Sequence, residues 1–320
     1  MLLAVLVTAG CGSPQNTLSP HSKAARSIAS LWWNMLIGSA LAFGIVVLIL
    51  AGAWVRRNRP GFPGVRDGDR AALGVVLTFG LAIPIVVLST LFLVSNIFLI
   101  RDTSLPTASA APGDRPKLTI RVIGHQFWWE VRYPGTPAVT ANEIHIPART
   151  PVQVLVYTDD VIHSFWVPEL NRKIDMIPDQ TNSVLLYADK VGRYRGQCAE
   201  FCGLQHAHMG FYVFADPPAR FRAWLARESQ PATQATQVFQ VRCSSCHAIR
   251  GTPATSNVGP DLTHLASRTS LAGLTIPNTP ERLREWIRDP QQFKPGNQMP
   301  ALGLTSAEIA QLVAYLEKLR

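Results

Sequence analysis

Hydrophobic and polar positions change period several times along the chain. Leu31–Val55 holds no charged residue over 25 positions, and Ala71–Ile100 holds none over 30. A helix needs roughly 20 apolar residues to cross about 30 Å of hydrocarbon, so both stretches predict membrane spans, together forming a hairpin over 27–101. Neither has a polar face, which argues against a buried helix pair in a soluble domain. Trp32, Trp33 and Trp54 lie near the ends of the first span, where interfacial anchors sit. Pro84 falls inside the second span and predicts a kink.

Beyond Arg101 the period shortens. Leu118, Ile120 and Val122 alternate with polar residues, as do Ile144 and Ile146, and Val152, Val154 and Val156. Val184, Leu186 and the run Tyr212, Val213, Phe214 add further short segments. Period-2 runs broken by Pro, Gly and Asn predict an antiparallel β-sandwich or barrel over 115–217. Pro218–Glu228 then reads as a helix with Phe221, Trp224 and Leu225 on one side. The polar segments 102–116 and 229–236 (SQPATQAT) read as flexible linkers. Over 232–320 the pattern is helical, most clearly at the end. Thr305 and Glu308 fit a capping box, and Ile309, Leu312, Val313, Leu316 and Leu319 follow as one apolar stripe.

Composition agrees with a soluble part joined to membrane spans: of 320 residues, 47% are hydrophobic and only 16% charged. The net charge of +9 is unevenly placed. Arg56, Arg57, Arg59, Arg66 and Arg70 crowd the connection between the two spans, with Asp67 and Asp69 against them. Positive-inside logic puts that connection in the cytoplasm and both termini, with everything after Arg101, on the outer side. Residues 115–217 are balanced, and 232–320 are mildly basic without a Lys/Arg run that would suggest nucleic acid.

Five cysteines, two close pairs and one alone, do not make a disulfide framework. Cys11 follows an apolar stretch ending in Thr8, Ala9 and Gly10, which reads as a lipoprotein signal over 1–11 with lipidation at Cys11. Cys243, Cys246 and His247 form C-x-x-C-H, the attachment motif of c-type haem. Two thiols add to the two haem vinyl groups, and the adjacent imidazole supplies one axial ligand. Met299, 52 residues after His247, is the candidate for the other. His264 is a rival that reads more simply as a surface or capping histidine. A zinc knuckle would need a second ligand pair, and a thioredoxin-like pair would need a βαβ setting; the segment has neither.

The twelve residues Cys198–Met209 hold Cys198, Cys202, His206 and Met209. Thiolates, thioether and imidazole together suit copper. Two cysteines on one loop can bridge two ions, each then needing its own histidine: His206, and His163 from an earlier segment. Tetrahedral zinc on two cysteines and two histidines is the competing reading.

At this point a family resemblance becomes specific. Gly124–Glu130 (GHQFWWE), Asp160–Pro168 (DVIHSFWVP) and Cys198…Met209 resemble subunit II of cytochrome c oxidases from the first span to about residue 217. The segment 232–320 resembles class I cytochrome c domains through Gly259, Pro260, Asp261 and Leu262 and the pair Met299, Pro300. The combination resembles the caa3-type branch. The resemblance implies a multidomain chain: a two-helix transmembrane hairpin, an all-β cupredoxin-like domain and an all-α class I cytochrome c domain. It implies a binuclear copper centre, CuA, on His163, Cys198, Cys202, His206, Met209 and the backbone carbonyl of Glu200, whose side chain would reach a magnesium ion at the interface with subunit I. It implies Pro260 packed on the histidine side of haem c. The implied partners are subunit I, with haem a and CuB, subunit III, and a soluble or membrane-bound cytochrome c or bc-complex as donor. The activity implied is electron input for O2 reduction in another subunit, coupled to proton pumping.

Two positions depart from the family pattern. Phe127 stands where members fed by a soluble cytochrome usually have Trp, so Phe127 and Trp128 are both candidates for the electron-input ring. Leu77 stands where many members have a glutamate linked to proton uptake. Other readings are an input subunit of a nitric oxide reductase, a free-standing membrane redox carrier, or a copper-delivery protein. Nitrous oxide reductases need a further copper-cluster domain, and related quinol oxidases lack the two thiolates.

Overall fold

The computed structural model describes residues 15–58, 69–105, 115–232 and 234–320. The expectations for segment 1–11 and Cys11, and for Arg59, Arg66 and Asp67, lie outside the described residues.

Arg26–Ser104 forms one compact unit. Helix α1 is Lys23–Asn58. The second helix is built of α2 (Asp69–Leu77), a wide-turned stretch Thr78–Ala82, α3 (Ile83–Val94), a second wide stretch Ser95–Leu99, and α4 (Ile100–Thr103). Pro84 stands at the start of α3, directly after the first wide stretch. A proline removes one helical N–H and crowds the carbonyl one turn back, and a locally widened turn relieves both. Among the described residues two helices, Lys23–Arg57 and Leu73–Thr103, are long and apolar enough to cross a membrane. Ser27 Oγ donates to Asp102 Oδ2 at 2.7 Å, joining the start of one helix to the end of the other, as in a hairpin.

A second unit holds residues 15–25 and the described part of Leu105–Arg320. Its sandwich contains β1 (Leu118–His125), β2 (Trp128–Arg132), β3 (Val139–Ala141), β4 (Glu143–Pro147), β5 (Val152–Thr158), β6 (His163–Trp166), β7 (Ile174–Met176), β8 (Asn182–Leu186), β9 (Gly192–Cys198) and β10 (Gly210–Asp216). The two sheets run in the orders β3-β2-β1-β5-β8 and β4-β10-β9-β6-β7. They are mixed rather than purely antiparallel, because β1 pairs parallel with β5 and β4 parallel with β10. Alternation reports which face is buried and is silent about strand direction. In β5 it is perfect, with Val152, Val154, Val156 and Thr158 inward. Between the sheets lie Ile120, Val122, Trp129, Ile144, Ile146, Phe165 and Phe211. The segment ahead of α1 lies on this sandwich: His21 N donates to Glu169 O at 2.9 Å, Asp189 N donates to His21 O at 2.8 Å, and Ser22 Oγ donates to Leu170 O.

After the sandwich come α5 (Pro218–Glu228), α6 (Gln237–Arg242), α7 (Pro280–Arg288) and α8 (Ser306–Leu316). Thr305 and Glu308 make the expected capping box on α8. Phe239, Leu283, Ile287, Ile309, Leu312, Val313, Leu316 and Leu319 form a separate apolar core. The helical domain also contains a two-stranded ribbon, β11 (Ser270–Leu271) with β12 (Ile276–Pro277), which periodicity did not announce. Of the segment 229–236, expected as a flexible linker, Gln230, Ala232 and Gln234 are tied to this domain. His264 Nε2 contacts Gln230 O at 3.0 Å, Ala232 N donates to Arg250 O at 2.9 Å, and Tyr315 Oη donates to Gln234 O at 2.7 Å. Its polar composition signals solubility, but these backbone groups are bonded to the domain beside it.

Candidate metal and haem sites

The expected copper ligands converge. Pairing of β6 with β9 puts Phe165 opposite Cys198, which brings His163 to the loop that leaves β9. Cys198 Sγ lies 3.9 Å from Cys202 Sγ, 3.8 Å from His163 Nδ1 and 3.2 Å from Glu200 O. Cys202 Sγ lies 3.7 Å from His206 Nδ1 and 3.8 Å from Met209 Sδ. With metal–sulfur bonds of about 2.3 Å, sulfurs at this spacing subtend roughly 115° at a shared ion. Four side chains would satisfy one tetrahedral zinc. Here Met209 Sδ and the Glu200 carbonyl add two further donors, a set that fits two ions bridged by thiolates. His163, Cys198, Cys202 and Met209 are all buried.

Electrostatics point the same way. The neighbouring Cys202 sulfur holds the Cys198 thiol far below its ordinary value, burial opposes this, and the His163 imidazole reinforces it. Conversely, the Cys198 sulfur and burial push the Cys202 thiol up. Two thiolates at this distance repel, and a bound cation removes that conflict. Asp160 completes the surroundings: its Oδ1 lies 2.8 Å from His163 Nε2, which leaves Nδ1 facing the sulfurs. Burial acts to raise the Asp160 carboxyl, but the bonds from His163, Gln126 N and Val161 N bring it down to about 2. Trp129, fully buried, fixes the end of the copper loop by donating from Nε1 to Met209 O at 3.1 Å. The Glu200 side chain is exposed, and its Oε2 lies 3.5 Å from Lys173 Nζ.

The haem motif lines a cavity of about 290 Å³, with Cys243, Cys246, His247 and Met299 all on its walls. His247 Nδ1 lies 2.8 Å from Pro260 O, which directs Nε2 away from that carbonyl, and burial pulls the imidazole down, favouring its neutral form. A Cβ on Gly259 would stand 2.6 Å from His247 Cε1, so the ring packs directly on the glycine backbone. Gln291 staples the methionine loop: its Nε2 donates to Asn297 O at 2.9 Å and Met299 O at 2.8 Å, and its Oε1 accepts from Gly296 N. Arg268 is buried on the same wall with its Nε unpartnered among the described residues, a donor suited to a haem carboxylate. Fit for haem c thus rests on two thiols, a histidine favoured in its neutral form, a tethered methionine and a buried guanidinium whose Nε has no partner among the described residues while another of its nitrogens donates to Asp261 O. The rival His264 is buried rather than at the surface, bonds Gln230 O and does not line the cavity.

Phe127 and Trp128 line this haem cavity too, with Gln126 beside them. Phe127 is buried, and Trp128 stacks on His125 with centroids 4.4 Å apart. Asp160, Gln126, Gln291, Asn297 and Arg268 went unmarked in the sequence. Asn297 and Gln291 precede Met299 by two and eight positions, and Asp160 precedes His163 by three, so these offered a local signal; Gln126 acts on Cys202 across 76 residues.

Residues 136–215 match the family "Cytochrome C oxidase subunit II, periplasmic domain", and residues 232–320 match "Cytochrome c". Cytochrome c oxidase subunit 2 of Alkalihalophilus pseudofirmus is 35% identical over 298 residues, covering 89% of this chain and 84% of that protein. The protein of the same name from Bacillus subtilis is 29% identical, covering 100% of this chain and 96% of its own. The crystal structure of the periplasmic domain of subunit II of cytochrome oxidase of Bradyrhizobium japonicum covers 38% of this chain and 95% of that one, at 29% identity and a TM-score of 0.35.

Proposed function

The chain belongs to the cytochrome c oxidase subunit 2 family, and from that premise we propose that it is the electron-input subunit of a caa3-type oxidase. In this reading electrons pass from haem c to CuA and on to haem a in subunit I, where O2 is reduced and protons are pumped. The observation that supports it best is the convergence of six soft or neutral donors beside a wall of the C-x-x-C-H cavity within one compact unit.

When bound, haem c and the copper pair each take up and release one electron. Cys243 and Cys246 would hold the haem covalently, His247 and Met299 its iron, and Arg268 a haem carboxylate. His163, Cys198, Cys202, His206, Met209 and the Glu200 carbonyl would hold copper. Asp160 fixes the His163 ring, and Trp129 fixes the Met209 end of the loop, so the ligand cage is rigid before metal binds. A rigid cage keeps geometry nearly constant between redox states, which favours fast transfer. The exposed Glu200 carboxylate would serve magnesium at the contact with subunit I. Exposed Phe201 and Ile162 beside the copper loop suit a protein contact there.

Both redox domains would lie outside the cell membrane. Lipidation at Cys11 and a cytoplasmic arginine-rich connection fit the same topology. Subunit III and an external cytochrome c or bc-complex complete the proposed partners.

Purification in mild detergent tests the proposal. A large haem a–copper subunit should co-purify, and the complex should consume O2. Consumption of NO without consumption of O2 would overturn it.

A further inference from the structure

Lys294 lies in the loop that leads to Met299, yet it is 3% exposed. Burying an ammonium is costly unless it is well bonded, and burial pulls this one down to about 7. Its Nζ donates to Phe127 O at 2.6 Å and to Ala272 O at 3.1 Å. Phe127 belongs to the sandwich and Ala272 to the haem domain, so one buried amine ties the two together. The neighbours repeat the theme. Gln205 Nε2 donates to Pro295 O at 2.7 Å, and Gly210 N donates to Gly273 O at 3.1 Å. A Cβ on Gly296 would stand 2.7 Å from Leu204 Cδ1, so the Leu204 side chain packs directly on the Gly296 backbone. Leu204 and Gln205 lie between Cys202 and His206. The loop bearing Met299 therefore rests on the loop bearing the copper ligands. On the cavity wall, Gln126 Nε2 donates to Cys202 O at 2.5 Å.

We propose that Lys294 is a positioning residue for internal electron transfer: it pins the Met299 loop to the Phe127 carbonyl and so holds the haem cavity against the turn whose Gln126 bonds Cys202. This rests on the function proposed above. The step moves one electron: ferrous haem iron is oxidised to ferric, the copper pair is reduced by one electron, and no proton moves and no bond forms or breaks. Transfer falls steeply with added separation, so a loosened dock slows it even with both centres intact. The same dock buries Phe127, which removes that ring from direct contact with an external cytochrome.

The test uses the intact oxidase carrying Lys294→Met, an unbranched side chain of similar length without a donor. Haem c is reduced by a light flash, and its reoxidation is followed with the near-infrared copper band. The internal rate should fall by about tenfold or more, the scale that small misplacements produce. The static haem and copper bands, the haem potential, and direct photoreduction of copper by a small reagent should stay unchanged. Hydrogen exchange over 290–299 should rise. An unchanged internal rate with intact bands overturns the role of Lys294. If the variant does not assemble, Lys294→Gln keeps a donor at shorter reach, and it too must slow the internal step or the proposal fails. Absence of the copper or haem band from the unmodified protein would instead overturn the functional reading beneath it.

Discussion

Replacing Gly259 with alanine puts the haem site under a defined load. The added Cβ would meet His247 Cε1 at 2.6 Å, Nδ1 at 2.9 Å and Nε2 at 3.2 Å. Ordinary contact begins near 3.4 Å, so the ring edge must retreat by about 0.8 Å, the difference between 3.4 and 2.6. It cannot retreat freely, because Nδ1 is bonded to Pro260 O at 2.8 Å and Gly259 N is bonded to Cys246 O at 2.7 Å. Overpacking costs about 1–3 kcal/mol. Weakening the Nδ1 bond adds about 0.5–1.5 kcal/mol. For a unit of this size, a loss of about 2–4 kcal/mol lowers the melting temperature by roughly 5–15 °C. A displacement near 0.8 Å also far exceeds the ~0.2 Å tolerance of a metal–ligand distance. Covalent attachment through Cys243 and Cys246, as proposed, should survive, as haem staining of a denaturing gel will show, while the low-spin optical spectrum expected of iron held by His247 is lost or shifted. A Gly259→Ala protein with the unmodified spectrum and melting temperature would refute the placement of His247 as the axial ligand.

Two further outcomes follow from the surroundings of the sites. Asp160→Asn removes the charge that orients His163, and copper affinity should fall about 10–100-fold, measured by competition with a chelator, with the haem band unaffected. Glu130 is buried between Arg132 and His125; burial acts to raise its carboxyl, but these two neighbours outweigh it and leave it lowered. Because the folded value lies below the unfolded one, this contribution to stability is complete above the ordinary carboxylate range and is lost as pH falls through the folded value. Glu130→Gln should flatten the acid limb of urea-unfolding stability measured against pH.

How much could be read from sequence depended on how local each feature is. Cys198, Cys202, His206 and Met209 lie on one loop and Cys243, Cys246 and His247 on another, so short spacing rules reached them. His163 was reached from the Asp160–Pro168 segment, although His125 and His145 also stand on earlier strands. Strand faces were legible in β5, where burial alternates without exception. The parallel pairing of β1 with β5 was not, since alternation carries no direction. Segment 229–236 was hard to read for a related reason: its composition is polar, while the backbones of Gln230, Ala232 and Gln234 are bonded to His264, Arg250 and Tyr315. Lys294 and Gln126 act through contacts 167 and 76 residues away in sequence, beyond any motif. A lysine between Phe293 and Pro295 looks like a surface charge until its burial is seen.

The central claim, that one chain holds a two-copper centre and a haem c on separate side chains, is tested most directly by Cys202→Ser. Cys202 lies against Cys198, His206 and Met209, while the haem attachment residues stand apart from it on the other domain. Absorption spectra of the purified variant and parent proteins should show the near-infrared mixed-valence band abolished and the haem c band retained. Survival of both bands unchanged would contradict the copper assignment.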